Sequence, residues 1–346
     1  LRGSEVREKT HCDDVLKISS NENPCPPFPR ALEAGAQILP YLNRYPDGSS
    51  RDLRRRLSEK YGVDYQNIII GNGSNELLIQ IAESCLVPGD EVVYCWPSFV
   101  VYRIGCQLMG ATPVELPLDA QGSFDLDAVL AAITEKTKII FLCNPNNPSG
   151  NIYTKDAFDA FMTQVPDHVL VCVDEAYAEY CTDERYESAI KHFDGKRPLV
   201  ILRTFSKIYS LAGARVGFAF APVELVEALD KIREPFNTNT VGQAMAYYSL
   251  DDDAELDRRI QENYQARSLF SQALSSWGLS FVPSHTNFVF VYFKNPQEVF
   301  EALLEQGIIV RNFAHASALR IGIGTLEDTG RLIDAFEKLR EQGIIS

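Results

Sequence analysis

The sequence predicts an α/β protein made of a large, mostly parallel seven-stranded sheet domain and a smaller α+β domain. Seven short apolar runs alternate with helical segments from about residue 67 to 233. An acidic run, Asp251–Asp253, then separates them from a long helix and a different order of elements. The 346 residues also exceed the roughly 250–300 at which a single core stops growing. We therefore expect residues 45–251 to form the large domain, and residues 1–44 and 252–346 to form an N-terminal arm and the small domain.

The candidate strands of the large sheet are β-branched and apolar on both faces, which is typical of strands covered on two sides. They are Asn67–Ile70, Glu91–Cys95, Thr112–Leu116, Lys138–Cys143, Val169–Val173, Leu199–Arg203 and Val216–Ala221. The helices predicted between them are Asn75–Leu86, Phe99–Met109, Lys155–Val165 and Val223–Arg233. Because strands and helices alternate, we expect the sheet to be mostly parallel.

The two ends of the chain follow other patterns. The first forty or so residues are irregular and rich in proline, with one short helical stretch over Arg30–Ile38. Proline denies this arm regular hydrogen bonding, so we expect it to lie across another part of the molecule. Beyond the acidic run, the predicted elements are helices over Glu255–Ser276, Pro296–Gln306 and Leu326–Gln342, and strands over Phe288–Phe293, Ile308–Val310 and Leu319–Ile323.

The composition argues against several classes of partner. With a net charge of −14 and a pI of about 4.9, the surface should repel nucleic acid. No apolar run reaches the roughly 18–20 residues of a membrane helix, and residues 1–14 are charged and lack the apolar stretch of a signal peptide. None of the eight cysteines forms Cys-x-x-Cys and the five histidines lack metal-ligand spacing. We therefore expect buried thiols, a cytoplasmic location and no metal site.

Four motifs fall just beyond the carboxyl ends of predicted strands, where open parallel sheets bind ligands. Taken singly, each has a structural explanation. Gly71–Asn75 is typical of a glycine-rich turn into a helix, and Asn144–Gly150 of a rigid turn. Asp174–Tyr177 is typical of a helix N-cap, and Lys207 of a solvated surface charge. Together, in this order and at these strand ends, the four motifs form a specific pattern.

The residue types in these motifs favour an anionic ligand that carries an aldehyde and a basic ring nitrogen. Backbone N–H groups of Gly71–Asn75 at a helix N-terminus attract an anion. Arg215 and the hydroxyl residues beside Lys207 are suited to a phosphate dianion. Asp174, at the end of a buried strand, requires a cation such as a pyridinium nitrogen. A desolvated Lys207 flanked by cations has a lowered pKa and attacks aldehydes.

These motifs, with Ile18–Pro24, Asn43–Pro46 and Leu319–Ile321, resemble the fold-type I pyridoxal-phosphate enzymes of the class I/II aminotransferase group. The closest resemblance is to histidinol-phosphate aminotransferases, and it covers nearly the whole chain. It implies a large domain that binds pyridoxal phosphate, a small domain built from both termini, and a homodimer with composite active sites.

By this resemblance, Lys207 would be the catalytic residue, which carries pyridoxal phosphate as a Schiff base and moves the proton between substrate and cofactor. Asp174 would pair with the pyridine nitrogen. Asn147 and Tyr177 would hydrogen-bond the phenolic oxygen, and Phe99 would stack on the ring.

The other implied cofactor contacts are all made to the phosphate, and they come from Ser74, Asn75, Thr204, Ser206, Arg215 and the partner subunit's Tyr45. Arg320 would receive the substrate carboxylate, and Asn23 and Arg311 would contribute to substrate binding. Arg311 matches a family position that binds a phosphorylated or acidic side chain, although a surface arginine at a strand end has the same appearance. Phe99 is often Tyr and Asn75 often Asp in the family, but a phenyl ring still stacks and an amide still hydrogen-bonds.

The leading hypothesis is an aminotransferase that converts L-histidinol phosphate and 2-oxoglutarate to imidazole-acetol phosphate and L-glutamate by ping-pong kinetics. An aromatic amino acid aminotransferase uses the same scaffold, and the cofactor residues do not separate the two. A decarboxylase of a phosphorylated amino acid, such as threonine phosphate, is a further alternative. A regulator that senses pyridoxal phosphate would require a basic DNA-binding domain, for which the chain has no room. The chain also lacks Gly-x-Gly-x-x-Gly, which argues against a dinucleotide-binding enzyme.

Overall fold

The computed structural model describes residues 14–345. The predicted arm residues 1–13, and with them most of the charged N-terminal stretch, lie outside the described residues, as does Ser346. The strands are β1 Leu16–Lys17, β2 Ile68–Gly71, β3 Glu91–Trp96, β4 Thr112–Pro117, β5 Thr137–Cys143, β6 Leu170–Asp174, β7 Leu199–Thr204, β8 Gly217–Phe220, β9 Phe281–Val282, β10 Phe288–Tyr292, β11 Ile308–Ile309, β12 Arg311–Phe313 and β13 Ala318–Gly322. The α-helices are α1 Pro29–Ile38, α2 Arg51–Tyr61, α3 Ser74–Cys85, α4 Val101–Leu108, α5 Leu126–Ala131, α6 Lys155–Met162, α7 Val223–Ile232, α8 Thr240–Ser249, α9 Asp253–Ser276, α10 Pro296–Glu305 and α11 Leu326–Glu341.

The large sheet has seven strands in the order β2-β8-β7-β6-β5-β3-β4. Strands β4, β3, β5, β6 and β7 run parallel to their neighbours, while β8 is antiparallel to both β7 and β2. The predicted fold class, with its large and mostly parallel sheet, is therefore confirmed. The carboxyl ends of β2, β5, β6 and β7 lie at one edge of the sheet, because two antiparallel steps through β8 return β2 to the common direction.

One expectation for the sheet is wrong. The segment Thr112–Leu116 was expected to be covered on both faces, but β4 is the end strand of the sheet and none of its residues is fully buried. Pro113 and Pro117 suit this position, since a proline cannot donate a hydrogen bond to a further strand.

The C-terminal region forms a second core. Strands β12-β13-β10-β9 make an antiparallel sheet, and β1 pairs in parallel with β11. Leu16 and Ile18 of the N-terminal arm belong to this core, together with side chains of α9, α10 and α11. Further along the arm, Phe28 and Ala31 instead pack into the core of the large sheet. The division of the chain at residues 45 and 252 stays a prediction.

Two features are absent from residues 14–345. No helix in this range is long and apolar enough to cross a membrane. No group of three or more His, Cys, Asp or Glu side chains in the same range is arranged to hold a metal ion.

Candidate active site

A cleft of about 340 Å³ lies at the carboxyl ends of β2, β5, β6 and β7, between the large sheet and the N-terminal arm. It gathers the following sequence-predicted residues: Ser74, Asn75, Phe99, Asn147, Asp174, Tyr177, Thr204, Ser206, Lys207, Arg215 and Arg320. The parallel strands bring together motifs that are far apart in the chain, because each motif follows a strand that ends at the same edge.

Lys207 follows β7, and its ammonium group lies inside the cleft. Lys207 Nζ donates to the backbone oxygen of Ser20 at 3.4 Å and lies 5.6 Å from the ring centroid of Tyr177. Burial lowers the pKa of Lys207 to about 8, and the positive charge of Arg320 acts in the same direction, while the charge of Glu22 opposes it. A lysine with this pKa is partly a free amine near neutral pH and can act as a nucleophile or a base.

Asp174 is the last residue of β6 and only 3% exposed. One carboxylate oxygen accepts from Tyr102 Oη at 2.9 Å, and the other accepts from the backbone N–H of Ala176 at 3.1 Å. Burial raises the pKa of Asp174 to about 6 in spite of these two hydrogen bonds. No basic side chain among residues 14–345 forms an ion pair with this carboxylate, so it can receive a cationic group of a ligand.

The turn between β2 and α3 forms an anion-binding end of the cleft. Gly73 has φ +80°, and an added Cβ there would collide with the guanidinium of Arg215. Arg215 is held by the backbone oxygens of Asn72, at 3.3 Å, and Ala212, at 3.1 Å. Ser74 starts α3, so its backbone N–H lies at the positive end of the helix dipole. This end has the donors that a phosphate dianion requires.

The Thr204 and Ser206 hydroxyls complete that end of the cleft. They lie 3.0 Å apart, and Thr204 Oγ1 also accepts from the backbone N–H of Ser206 at 3.1 Å. Both side chains are buried except toward the cleft.

Two donors face the middle of the cleft. Asn147 Oδ1 accepts from Arg320 Nη1 at 2.6 Å, and within residues 14–345 the amide nitrogen of Asn147 has no acceptor, so it can donate to a ligand. Tyr177 Oη accepts from Asn21 Nδ2 at 2.8 Å, and its own proton has no acceptor in the same range. Asn21 and Tyr102 were missed by the sequence reasoning, because both reach the site through long-range contacts.

Arg320 lies in β13 and is 8% exposed. Besides Asn147, it contacts the backbone oxygen of Ser19 at 2.7 Å, and its Nε is buried without a partner among residues 14–345. Burial lowers the pKa of Arg320 to about 10, with a further contribution from the charge of Arg311. The side chain is still a cation at neutral pH, and its Nε donor is unused within residues 14–345.

Three predicted residues lie outside the cleft. Asn23 donates to Tyr180 Oη at 3.1 Å and does not line the cleft. Arg311 is exposed in β12, directly opposite Arg320 of β13. Tyr45 is 83% exposed and stacks on Phe236 with a centroid distance of 4.6 Å. The roles predicted for these three side chains therefore stay predictions.

The donor set fits pyridoxal phosphate group by group. The β2–α3 turn and Arg215 match a phosphate, Asp174 matches a protonated ring nitrogen, and the free donors of Asn147 and Tyr177 match a phenolic oxygen. The Lys207 amine matches an aldehyde. Each of these groups lines one continuous cleft.

The same chain is similar to proteins of known family. A family model described as aminotransferase class I and II matches residues 13–336. A histidinol-phosphate aminotransferase of Moorella thermoacetica is 40% identical over 97% of this chain and 88% of that protein. An aromatic amino acid aminotransferase of Corynebacterium diphtheriae is 43% identical over 94% of both chains. The crystal structure of histidinol-phosphate aminotransferase from Sinorhizobium meliloti in complex with pyridoxal-5'-phosphate matches with a TM-score of 0.89 at 27% identity, over 98% of this chain and 95% of that one.

Proposed function

Because this chain belongs to the aminotransferase class I and II family, we propose that it transfers the amino group of L-histidinol phosphate to 2-oxoglutarate with pyridoxal phosphate held at Lys207. The observation that carries the proposal is the single cleft that combines Lys207, the buried Asp174 and a phosphate site with a second buried cation, Arg320. The relative from Moorella thermoacetica supports the choice of substrate.

Pyridoxal phosphate, when bound, supplies an aldehyde that combines with amines and a protonated ring that accepts an electron pair. Lys207 Nζ would hold the aldehyde. Once a substrate amine took its place, Nζ would be free to take the proton from the substrate Cα and to return one on the cofactor side. The carboxylate of Asp174 would keep the ring nitrogen protonated. Two substrates enter and leave in turn, which predicts ping-pong kinetics.

Arg320 and Arg311 support a phosphorylated substrate. The two lie opposite each other in paired strands, and Arg320 Nε is buried without a partner. The charge of Arg311 also acts on Arg320, and two interacting guanidinium groups suit a dianion better than a monoanion. Histidinol phosphate has no carboxylate, so Arg320 contacts its phosphate in this proposal, whereas in the glutamate half of the reaction it receives a carboxylate.

An aromatic amino acid aminotransferase is the second candidate. The relative from Corynebacterium diphtheriae supports it, and the guanidinium of Arg320 lies 5.3 Å and 5.8 Å from the ring centroids of Phe288 and Phe313. An arginine oriented by neighbouring rings can receive a carboxylate, a group that phenylalanine has and histidinol phosphate lacks.

The test is a half-reaction. Protein loaded with pyridoxal phosphate is mixed with L-histidinol phosphate, and separately with L-phenylalanine, without any oxoacid, and the absorbance of the bound cofactor is followed. Faster conversion by histidinol phosphate supports the proposal, and Arg311→Gln should then slow that substrate more than phenylalanine. Faster conversion by phenylalanine supports the aromatic enzyme. If neither amine nor glutamate converts the cofactor, the proposal is wrong, and release of carbon dioxide from threonine phosphate would identify the decarboxylase.

A homodimer and a cytoplasmic location belong to the same proposal. The segment after α1 exposes Leu39, Tyr41, Leu42 and Tyr45, and such a group of apolar side chains is typical of a surface that another chain covers. The cysteines among the described residues are free thiols, which supports a reducing compartment. The dimer is tested by the solution mass of the protein, and a role of the partner subunit's Tyr45 by weaker retention of pyridoxal phosphate in Tyr45→Ala.

A further inference from the structure

Asn21 is a buried residue of the N-terminal arm whose side chain reaches the cleft. It is 2% exposed, and its Nδ2 donates to Tyr177 Oη at 2.8 Å across 156 residues of sequence. Its backbone has φ +55°, in the left-handed region that asparagine tolerates better than most residues. A buried side chain in this conformation needs support from its surroundings to stay in place.

The surroundings of Asn21 provide that support. Its backbone oxygen accepts from Asn287 Nδ2 at 3.1 Å. On the preceding residues, the backbone oxygen of Ser20 accepts from Lys207 and that of Ser19 accepts from Arg320. The arm is therefore tied both to the second core and to two cations of the cleft, and the amide of Asn21 is held against Tyr177.

The direction of the Asn21–Tyr177 bond decides where the phenol proton goes. A phenol has one proton. Because Tyr177 Oη accepts from the amide of Asn21, that proton is not used on Asn21, and the hydroxyl makes no other hydrogen bond within residues 14–345. Burial raises the pKa of Tyr177 far above its ordinary value, so the hydroxyl keeps its proton at neutral pH.

We propose that Asn21 is a positioning residue, which fixes the Tyr177 hydroxyl as a donor to the phenolic oxygen of pyridoxal phosphate. The inference rests on the proposed function, since it requires the cofactor in the cleft. Donation to the phenolic oxygen stabilises its anionic form, so the bound cofactor gives up the proton held beside that oxygen at a lower pH. Without Asn21, the hydroxyl is free to rotate and this donation weakens.

The experiment is a pH titration of the absorbance of the loaded protein without substrate. Loss of a hydrogen bond to a charged group corresponds to a shift of about one to two units, and loss of a neutral one, such as that of Asn21 to the hydroxyl, to about half a unit to one unit. We expect Tyr177→Phe to raise the titration midpoint by about one unit and Asn21→Gly by about half a unit. Glycine is chosen because it removes the amide without straining the left-handed backbone. The double variant should titrate like Tyr177→Phe alone, because Asn21 acts only through the hydroxyl.

Two further variants make the test specific. Asn21→Asp can only accept from the hydroxyl, so it should remove the donor and raise the midpoint at least as far as Tyr177→Phe. Tyr180→Phe is the matched control. Tyr180 Oη accepts from the amide of Asn23, as Tyr177 Oη does from Asn21, but it lies outside the cleft. The titration midpoint of this variant should equal that of the wild type. The titratable groups that face Tyr177, namely Arg320, Lys207, Asp174 and Cys143, are kept in all these variants, and only Asn21→Asp adds a charge.

The outcomes separate the two proposals. An unshifted midpoint in Asn21→Gly, beside a shifted one in Tyr177→Phe, overturns the role of Asn21, and so does a double variant whose shift is the sum of both. An equal shift in Tyr180→Phe also overturns it, because the arm as a whole would then be responsible. A wild-type protein that binds no pyridoxal phosphate overturns the proposed function itself.

Discussion

The protonation of Lys207 can be measured through the uptake of pyridoxal phosphate by cofactor-free protein. The free amine is the reactive form, so the rate of uptake should follow its fraction. Burial lowers the pKa of Lys207 from the ordinary value of 10.5 to about 8. A base titrates to its neutral form as the pH rises, so the rate should rise with pH and level off above about pH 8.

The size of the increase in rate between pH 7 and pH 9 distinguishes a Lys207 pKa of about 8 from the ordinary value of 10.5. With a pKa of about 8, the amine fraction rises from about 9% at pH 7 to about 91% at pH 9, which is about a tenfold increase. With the ordinary pKa, the fraction would rise about a hundredfold over the same range and continue to climb. At pH 7 the lowered pKa makes the amine roughly 300 times more abundant than in an exposed lysine.

The assay is rapid mixing with pyridoxal phosphate across pH 7 to 9, with a simple primary amine run in parallel to remove the cofactor's own titration. Arg320→Met should move the midpoint upward, because Arg320 lowers the pKa of Lys207 through its charge. Arg311→Met is the matched control, because Arg311 of β12 pairs with Arg320 of β13. It should leave the midpoint of the rate profile unchanged. A rate that is flat, or that rises a hundredfold without levelling, would refute the assignment of a lowered pKa to Lys207.

Three further predictions concern Asp174, Arg203 and Gly217. The folded-state pKa of Asp174 is raised from 3.8 to about 6, so the folded chain holds the extra proton and loses stability as the pH rises through this range. Asp174→Asn should therefore stabilise cofactor-free protein by up to about 3 kcal/mol at pH 7, but not at pH 4. Thermal unfolding at both pH values checks this. The same variant should retain pyridoxal phosphate more weakly. Arg203→Met leaves two buried carboxylates unpaired and should cost about 3–5 kcal/mol in denaturant unfolding; a loss below about 1 kcal/mol would contradict that reading. In Gly217→Ala the added Cβ would overlap the backbone of Ser74, so cofactor retention should fall, whereas Gly213→Ala, with no atom within 4 Å, should retain the cofactor like the wild type.

The strands of the large sheet could be predicted from the sequence because most of them are buried on both faces. Each of the seven predicted strands agrees with the structure to within one residue at either end. Apolar runs of this length between turn signals have few alternative structures. The exposed edge strand β4 shows the limit, because Thr112–Leu116 has strand-forming residues but its position in the sheet depends on the order of the other strands.

Three helices of the described residues were not predicted. One of them, α5, Leu126–Ala131, has only six residues. The other two were missed for a reason related to burial. The helix α2, Arg51–Tyr61, is rich in charged residues and buries only Leu53 and Leu57. The helix α8, Thr240–Ser249, buries Gly242, Ala246 and Ser249, which are small and give no apolar period. In both cases tertiary packing, rather than a recognisable apolar face, selects the helix.

The cleft could be predicted in part. Asp174 and Lys207 were found because each lies within four residues of the carboxyl end of a predicted strand, and parallel strands place such residues at one edge. Asn21 and Tyr102 were not found, because their contacts to Tyr177 and Asp174 span 156 and 72 residues. A polar residue that acts by contact across such a distance leaves no local pattern in a single sequence.

The central claim, that Lys207 carries the cofactor, is tested most directly by chemical trapping. Protein loaded with pyridoxal phosphate is reduced with borohydride, digested and analysed by mass spectrometry. We predict one pyridoxyl-modified peptide, with the modification on Lys207, and none in Lys207→Ala. Modification of another lysine, or equal modification of the Lys207→Ala protein, would contradict the account.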